Sequence, residues 1–325
     1  MAFIYHRFGE LNYPSTNVTL EQFERHLDIL EELEFEVLPL SKIVASQKAG
    51  LEIPDRTVAI TMDDAYLSVY TNAFPLLKQR GLPFTVFVNT DIVDQQAPGF
   101  MTWQHMREMQ EHGAEFANHG RSHDHFVYRL RGESFAEWER RVSDAVTHAQ
   151  KRLQQELGEG VNEKPRMFAY PYGEFNAPLA KLIINLGYIG VGQHSGAIGI
   201  SSDLRALPRF PMAERYAEAS QFRLKALTKA LPIEDLQPWN PQITDGNPPR
   251  LIVEFTESLA NAGNITCYSQ GEPLQIEWLE QHKTFATQAA DSLPNGRSRY
   301  NCTLPAGGGR YYWLSQPWLV TEAND

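Results

Sequence analysis

Two adjacent carboxylates stand at the end of a short apolar run in the first quarter of the chain. The run 58–60 continues into Thr61-Met62-Asp63-Asp64. Adjacent carboxylates repel each other when both are ionised, unless a positive charge lies near them. A metal ion can supply that charge, although a solvated Asp-Asp turn is the simpler interpretation of the dipeptide alone. The motif therefore indicates a candidate metal or acid-base site that needs further ligands.

Two histidines four residues apart can supply those ligands. His119 and His123 follow another strand-like run, residues 114–117. Imidazoles at this spacing can face one ion from a loop or a helical turn, and imidazole with carboxylate is a common zinc set. Together with Asp64 they predict a divalent metal site, best suited to Zn²⁺, with a coordination position left for water. Other histidines occur nearby, so the spacing has to be judged together with the remaining motifs.

A third motif is a strand-like run that ends in a Pro-aromatic-Gly turn. Residues 168–173 read Phe-Ala-Tyr-Pro-Tyr-Gly. A turn of this kind frees backbone N–H groups at the end of a strand, and an oxyanion that forms during acyl transfer is stabilised by such donors. Taken by itself the segment is an ordinary turn. Beside a metal site it becomes a candidate part of an active site, with Tyr172 at its centre.

In this order and spacing, the three motifs resemble the polysaccharide deacetylase family, also known as the NodB homology family or carbohydrate esterase family 4. Residues 61–64 are similar to its first motif, Thr-Phe-Asp-Asp, and His119 with His123 to its second, His-x-x-x-His. The third, Arg-x-Pro-Tyr, is met in part, because Ala169 stands where the family has an arginine that orients the catalytic base. The resemblance covers about residues 1–215.

The resemblance implies a role for each matched residue. Asp63 is the implied general base, and Asp64, His119 and His123 are the implied metal ligands. The backbone N–H of Tyr172 is the implied oxyanion donor. In this chemistry a divalent metal, expected to be Zn²⁺, polarises the acetamide carbonyl and lowers the pKa of water toward ~7.

Two histidines compete for the role of the acid that protonates the departing amine. His194 follows the last strand-like run in Gly-Gln-His-Ser-Gly, whereas His6 ends the first run in Tyr-His-Arg. A branch of the family that de-N-acetylates poly-β-1,6-N-acetylglucosamine begins with a similar Tyr-His motif, and its barrel strands are permuted so that this histidine is the acid. The resemblance to that branch favours His6, and His194 stays as the alternative.

The implied function is metal-dependent hydrolysis of N-acetyl groups on a polysaccharide or oligosaccharide of the N-acetylglucosamine type, with release of acetate. The implied partner is therefore an N-acetylated glycan. One alternative keeps the fold and acts on a small amide or ureide. Another is a carbohydrate-binding protein that has lost turnover, but the complete set Asp63, Asp64, His119 and His123 argues against it.

Composition excludes some other classes of function. The formal net charge is −11 and the pI about 5.4, so the summed field repels a phosphate backbone and makes nucleic acid a poor substrate. No apolar run approaches the roughly 20 residues of a transmembrane helix. Met1-Ala2 runs directly into the strand-like residues 3–6, which leaves no room for a leader. We therefore expect either a cytoplasmic protein or one whose leader has been removed.

Apolar runs and helical patterns alternate along residues 1–231, which predicts a distorted (β/α) barrel of about seven strands. Helix-start signals lie between the runs, at Thr19, Ser41, Thr102 and Asn176. The predicted barrel strands are 3–6, 36–40, 57–62, 84–88, 114–118, 167–170 and 188–191.

A proline-rich stretch then marks a change in composition, because proline continues neither a helix nor a central strand. We predict a domain boundary there, with a small β-sandwich domain in residues 232–325 after a proline-rich linker. Its predicted strands are 251–256, 265–268, 274–279, 299–303 and 310–314.

The chain has two cysteines, Cys267 and Cys302, and each lies in a strand-like run of this second region. Two cysteines fix no disulfide pattern, so two free buried thiols and one disulfide are equally consistent with the sequence. A disulfide would favour a periplasmic or extracellular location, with the leader absent from this chain. Free thiols would fit the cytoplasm.

Overall fold

The computed structural model of the chain describes residues 1–162, 165–259 and 261–321. Its first part alternates strands and helices as the sequence predicts. The strands up to residue 211 are β1 Ala2–Tyr5, β2 Arg7–Phe8, β3 Asn17–Val18, β4 Glu36–Val37, β5 Thr57–Asp63, β6 Phe84–Val88, β7 Ala114–Asn118, β8 Arg166–Ala169, β9 Tyr188–Val191 and β10 Phe210–Pro211. The helices are α1 Leu20–Glu32, α2 Leu40–Lys48, α3 Phe74–Arg80, α4 Thr90–Asp94, α5 Trp103–Gln110, α6 Phe135–Leu157, α7 Ala177–Asn185 and α8 Ala219–Ala226.

Eight of these strands form one curled parallel sheet. Seven follow the order β10-β1-β5-β6-β7-β8-β9, and β4 pairs with β5 at the side. The predicted distorted barrel is therefore confirmed as an open, curled sheet with helices around it. Because β1 lies between β5 and β10, the first strand of the chain is in the interior of the sheet, and its residues Ala2–Tyr5 are all buried.

Most helix starts follow the predicted capping signals. Thr19 caps α1 through a capping box with Gln22, and Thr102 caps α5 through one with His105. Asn176 accepts a hydrogen bond from the Leu179 N–H at the start of α7.

The sequence places one helix start wrongly. Pro39, not Ser41, stands at the cap position of α2, which begins at Leu40. The predicted strand 36–40 is correspondingly shortened to β4, Glu36–Val37, because the fixed φ of proline suits the entry to a helix.

The second part of the chain is a nine-stranded, mainly antiparallel sheet. Its order is β11-β19-β18-β15-β16-β17-β14-β12, with β13 paired to β19. The sheet folds over a shared core in which Phe255 and Phe285 come from one half and Tyr300 and Trp318 from the other. Its strands are β11 Lys229–Ala230, β12 Ile233–Gln237, β13 Gln242–Ile243, β14 Leu251–Phe255, β15 Thr266–Ser269, β16 Glu272–Glu280, β17 Thr284–Gln288, β18 Gly296–Gly307 and β19 Arg310–Val320.

Cys267 and Cys302 face each other on β15 and β18 and form a disulfide across the two strands. Residues 233–243 of the proline-rich stretch supply the short strands β12 and β13 of this sheet. A domain boundary at residue 231 remains a prediction.

The two sheets contact each other closely. Arg310 of β19 forms a two-fold ion pair with Asp55, at 2.6 and 2.8 Å, just before β5. The ring of Trp313 packs edge-on against Phe210 of β10, with the ring centroids 5.4 Å apart. These contacts fix the second sheet against the first near β10 and near the start of β5. Within the described residues, no helix has the length and apolar character needed to cross a membrane.

Candidate active site

The carboxyl ends of neighbouring strands bring the predicted residues together. β5 ends at Asp63, β7 at Asn118 and β1 at Tyr5, so Asp64, His119 and His6 each lie one residue beyond a strand. In parallel sheets with helical crossovers these ends meet at one edge, which is where functional side chains collect. Residues distant in sequence thereby form one site.

Three of the side chains form a compact group that could hold a cation. Nε2 of His119 lies 3.2 Å from Oδ1 of Asp64, and Nε2 of His123 lies 3.1 Å from the same oxygen. One potential ligand atom from each residue lies within 4.8 Å of the others. His119 is fully buried and His123 is partly open to solvent. The group is thus enclosed on one side and accessible on the other.

The orientation of His119 fits a bound cation. Its Nδ1 lies 2.8 Å from the carbonyl oxygen of Ala169, and since a carbonyl only accepts, Nδ1–H is the donor. In the neutral ring, Nε2 then directs a lone pair at Asp64 Oδ1. Both atoms are buried without hydrogen-bond partners in the described part of the chain. Two facing lone pairs need a cation between them, either a proton or a metal ion.

Asp64 and His119 also shift each other's pKa in the direction expected for this grouping. Burial disfavours the ionised carboxylate, but both histidines outweigh it, and the pKa of Asp64 lies well below its ordinary value. Burial lowers the pKa of His119, yet Asp64 and Asp63 more than compensate and raise it above its ordinary value. The site is therefore negatively polarised and attracts positive charge.

Several residues around this group adopt a left-handed backbone. Asp64 has φ of 73°, Ala65 of 57°, His123 of 55° and Tyr172 of 59°. Non-glycine residues in this region store strain, of order 1–3 kcal/mol each, which persists only where the surrounding structure enforces it. Their concentration at one edge of the sheet is typical of a site in which geometry is held against local preference.

Asp63 lies in a different environment from Asp64. Both of its oxygens accept from Arg209, at 2.7 Å from one terminal nitrogen and 2.8 Å from the other, and both side chains have no exposed area. Arg209 also donates to the Thr61 hydroxyl at 3.0 Å and to the Gly192 carbonyl at 2.9 Å. The guanidinium is thereby fixed in one orientation, and it holds Asp63 with two parallel hydrogen bonds.

This pairing determines the charge of Asp63. Burial alone would raise its pKa, but Arg209 and His119 outweigh burial, and the pKa of Asp63 lies below its ordinary value. Arg209 thus pairs with Asp63. The family resemblance assigns this role to an arginine at the position where this chain has Ala169. No spacing motif in the sequence connects Arg209 with Asp63. A signal was present, since an arginine inside the apolar run Leu207-Pro208-Arg209-Phe210-Pro211 has to be paired if it is buried.

His6 lies beside both carboxylates. β1 pairs with β5 so that Tyr5 is opposite Met62, which places His6 next to Asp63 in the continued register. Burial lowers its pKa, while Asp64 and Asp63 act in the opposite direction, and the net pKa is below the ordinary value. The strand register thus places His6 at the same edge of the sheet as the acidic pair, whose charges partly offset the effect of burial.

His194 lies elsewhere. Its ring packs near Phe175, with the ring centroids 5.9 Å apart, and its nearest charges are Arg299, Arg209 and Asp203. Burial, followed by Arg299, lowers its pKa to about 4, so it is neutral at pH 7. The structure therefore brings His6, and not His194, to the two aspartates.

Tyr172 closes the site on the side of β8. The turn Pro171–Gly173 directs its ring over His123 at a centroid distance of 4.4 Å and stacks it on His125 at 3.9 Å. Hydrogen bonds from the N–H groups of Gly173 and Glu174 close the turn, and none from the Tyr172 N–H is found among the described residues. The role of that N–H as a donor to a ligand remains a prediction.

Glycine is required at position 173. Its φ is 69°, and a Cβ there would lie 2.6 Å from Cβ of Gln193. A side chain would push the turn away from the site, so this glycine fixes where the Tyr172 N–H points.

Most of the candidate site lies in a segment that matches a known protein family. Residues 51–191 match the polysaccharide deacetylase family, a span that contains Asp63, Asp64, His119, His123 and Tyr172. His6 and Arg209 lie outside the matched span.

Two curated relatives carry the name poly-beta-1,6-N-acetyl-D-glucosamine N-deacetylase. The protein from Escherichia coli is 26% identical over 220 residues, which cover 57% of this chain and 32% of the relative. The protein from Staphylococcus aureus is 24% identical over 217 residues, which cover 65% of this chain and 73% of the relative. This chain thus spans about a third of the length of the first relative and about three quarters of the second.

Solved structures show the same fold. IcaB from Ammonifex degensii aligns with a TM-score of 0.58 at 24% identity, over 69% of this chain and 96% of that protein. The deacetylase PplD from Streptococcus pyogenes, solved with acetate, aligns with a TM-score of 0.59 at 19% identity, over 68% of this chain and 94% of that protein. Both alignments leave about a third of this chain uncovered.

Proposed function

We propose, from the premise that this chain belongs to the polysaccharide deacetylase family, that it hydrolyses N-acetyl groups on an N-acetylglucosamine-type polysaccharide or oligosaccharide and releases acetate. One observation carries the proposal. A carboxylate held ionised by a buried arginine, Asp63, lies directly beside a group able to hold a cation, Asp64, His119 and His123. Hydrolysis of an amide requires a base close to the electrophile that activates the carbonyl.

The proposed metal ligands are Asp64, His119 and His123, and their donor set of two imidazoles and one carboxylate suits Zn²⁺. A divalent cation bound there supplies Lewis acidity to the acetamide carbonyl and makes water more acidic. The Ala169 carbonyl contributes by fixing the ring of His119. Such secondary contacts maintain both the tautomer and the direction of a ligand.

Asp63 is proposed as the general base. Arg209 keeps its carboxylate ionised at neutral pH and prevents it from turning toward the metal ligands. A base with a depressed pKa accepts a proton only from water that has itself been made more acidic, so the two halves of the site have to act together. Arg209 is therefore a positioning residue in this proposal.

The developing negative charge on the acetyl oxygen needs a donor, and the N–H of Tyr172 is proposed for that role. His6 is proposed as the acid that protonates the departing nitrogen, because it follows β1 directly beside the end of β5 that carries both aspartates. His194 is retained as the alternative acid, although burial and the charges of Arg299 and Arg209 outweigh that of Asp203 and disfavour the protonated ring.

The relatives suggest which glycan to test first. Relatives from two species carry poly-β-1,6-N-acetyl-D-glucosamine in their names, and we propose an N-acetylated polymer of N-acetylglucosamine type as the substrate here. Deacetylation would turn such a polymer cationic, which the negative net charge of −11 tolerates.

We also propose that the protein acts in the periplasm or outside the cell, where its substrate polymer would be found. The Cys267–Cys302 disulfide supports an oxidising compartment, because cytoplasmic thiols are kept reduced. Thiol titration of the denatured protein, purified from its native host under acid trapping, tests this point. Two free sulfhydryls would contradict the proposed location.

The decisive experiment is acetate release from a panel of N-acetylated glycans, with and without a chelator. We expect release from N-acetylglucosamine oligomers, loss with the chelator and recovery with added Zn²⁺. Release only from small amides or ureides would indicate an amidohydrolase with a different substrate. Glycan binding without any release would indicate a carbohydrate-binding protein.

A further inference from the structure

A large cavity lies between the first sheet's loops and the second sheet. Its volume is about 960 Å³, and it begins at Tyr172 and Gly173 of the candidate site. Arg297 of β18 donates a hydrogen bond to the Tyr172 carbonyl, so the second sheet directly contacts the turn that closes the site. A glycan held at the site would extend into this space.

The walls of the cavity are rich in cationic side chains. Lys225 comes from α8, Arg215 from the segment before it, and Arg297 and Arg299 from β18. Among the described residues, none of the four has a carboxylate within ion-pair distance. The net charge of the chain is −11, so the four cations give the walls of this cavity a charge opposite in sign to that of the whole chain.

Lys225 and Arg299 are close enough to disfavour each other. Only 5% of the surface of Lys225 is exposed, and its Nζ donates to the Tyr216 carbonyl at 3.2 Å. Burial and the charge of Arg299 lower the pKa of Lys225 to about 8, so it stays largely protonated at pH 7. A buried ammonium beside a guanidinium is unfavourable unless an anion lies between them.

The carboxylates that line the same cavity do not fill this role. Glu174 lies 2.6 Å from Nδ1 of His125 and is engaged there. Glu214 is exposed at the rim beside Arg215. Lys225 and Arg299 both lie beside Tyr216, with Lys225 Nζ 4.9 Å from the centroid of its ring. The carboxylates that line the cavity therefore leave the positive charge of Lys225 and Arg299 without an ion-pair partner among the described residues.

We propose that this cavity is a subsite for an anionic substituent, a carboxylate or a phosphate ester, carried by the glycan next to the acetylated sugar that is hydrolysed. Lys225 and Arg299 are the principal contacts, and Arg215 lies at the entrance. The inference rests on the proposed function and narrows its substrate class from N-acetylated glycans in general to those with acidic sugars or acidic substituents. It also gives the second sheet a specific contribution to recognition.

Equilibrium binding measured by titration calorimetry tests the subsite. The protein carries Asp63→Asn, so that oligomers are not consumed, and three oligomers of equal length are compared: a neutral N-acetylglucosamine oligomer, one with alternating uronic acids, and one with a phosphate ester. We expect at least one acidic oligomer to bind about tenfold or more tightly than the neutral one, the usual contribution of charge-assisted hydrogen bonds. The preferred acidic oligomer identifies the substituent.

Variants separate the subsite from general charge effects. Arg299→Gln and Lys225→Met should each remove most of the preference and leave neutral binding unchanged. Arg250→Gln is the matched control, since it removes an exposed arginine of the second region that pairs with Glu277 at 2.8 Å. Arg299 is partly exposed, so its variant decides the question if Lys225→Met fails to fold.

Equal binding of all three oligomers would overturn the subsite, as would an equal loss of preference in Arg250→Gln and Arg299→Gln. Acetate release by the wild-type protein is measured separately. A preference for acidic oligomers without any acetate release would support the subsite and contradict the proposed hydrolysis. Acetate release without the preference would do the reverse.

Discussion

Asp63 and Asp64 are neighbours in the chain, but the structure surrounds them in opposite ways. Asp63 has no exposed area and lies against both terminal nitrogens of Arg209. Asp64 faces two imidazoles, with Oδ1 unbonded in the described part of the chain. The counter-charge of the first aspartate is therefore part of the fold, whereas that of the second has to be bound from solution. Loss of a partner should destabilise the protein on the Asp63 side and release a cation on the Asp64 side.

Removal of a proposed metal ligand, on the Asp64 side, should have the largest effect on metal content and acetate release. Asp64→Ala and His119→Ala should each lose the bound metal and reduce acetate release to background, because two protein ligands seldom retain the ion. Elemental analysis after dialysis measures the metal and an acetate assay measures activity. His125→Ala is the control, since it removes a neighbouring imidazole outside the group. Full metal occupancy in the first two variants would remove the proposed site.

The Asp63 side should lose turnover without losing metal. In Asp63→Asn a base is removed but no ligand, so kcat should fall by about 10²–10⁴, the usual contribution of a positioned general base. Metal content should stay at the wild-type level. Near-normal turnover would mean that another group accepts the proton.

The His6 variant tests which histidine protonates the departing amine. His6→Ala should retain the metal and lower kcat by about 10²–10⁴. A protonated imidazole is the active form of an acid, so wild-type activity should fall as pH rises through the pKa of His6. That alkaline decrease should be absent from the variant. His194→Ala is the matched comparison and should be mild. A mild His6 variant with an inactive, metal-replete His194 variant would transfer the role to His194.

Arg209 should have a smaller effect on rate and a clear effect on stability. Arg209→Met leaves a buried carboxylate unpaired, which costs about 3–5 kcal/mol in the free energy of unfolding. The double variant Arg209→Met/Asp63→Asn should regain part of that loss, because no ionised group is then left alone. Denaturant unfolding of the two single variants and the double variant gives the coupling. Arg107→Gln, which breaks an exposed pair with Glu156, is the control. Equal stability in all of them would contradict a buried charge pair.

The parts of the fold that depend on local pattern were predictable. Period-two and helical patterns located the strands of the curled sheet, and the capping residues Thr19 and Thr102 marked helix starts. Strand β10 was missed because two residues that include a proline carry no periodic signal. It completes the sheet only because β1 provides a partner, a long-range contact that no local rule describes.

The candidate site likewise contains residues that the sequence could identify and residues that it could not. Asp63, Asp64, His119 and His123 could be identified because their spacing is a motif. Arg209 could not be assigned to Asp63, since the two residues are 146 positions apart and meet through the sheet topology. The cationic cavity could not be predicted either, because Lys225 lies on α8 and Arg299 on β18, and the two are adjacent only after the second sheet has packed against the first part of the chain.

The central place of β1 has a consequence for the order in which the protein is made. β1 pairs with β5 and with β10, so Phe3 is opposite both Ile60 and Phe210. His6 and Arg209 are thus positioned by strands at opposite ends of a 210-residue stretch. During synthesis the chain emerges from its amino end and domains fold as units. A nascent chain that ends before residue 209 holds the motif aspartates but neither Arg209 nor its strand β10, so it lacks part of the proposed active site. The proposed activity therefore requires that the whole first sheet has been translated.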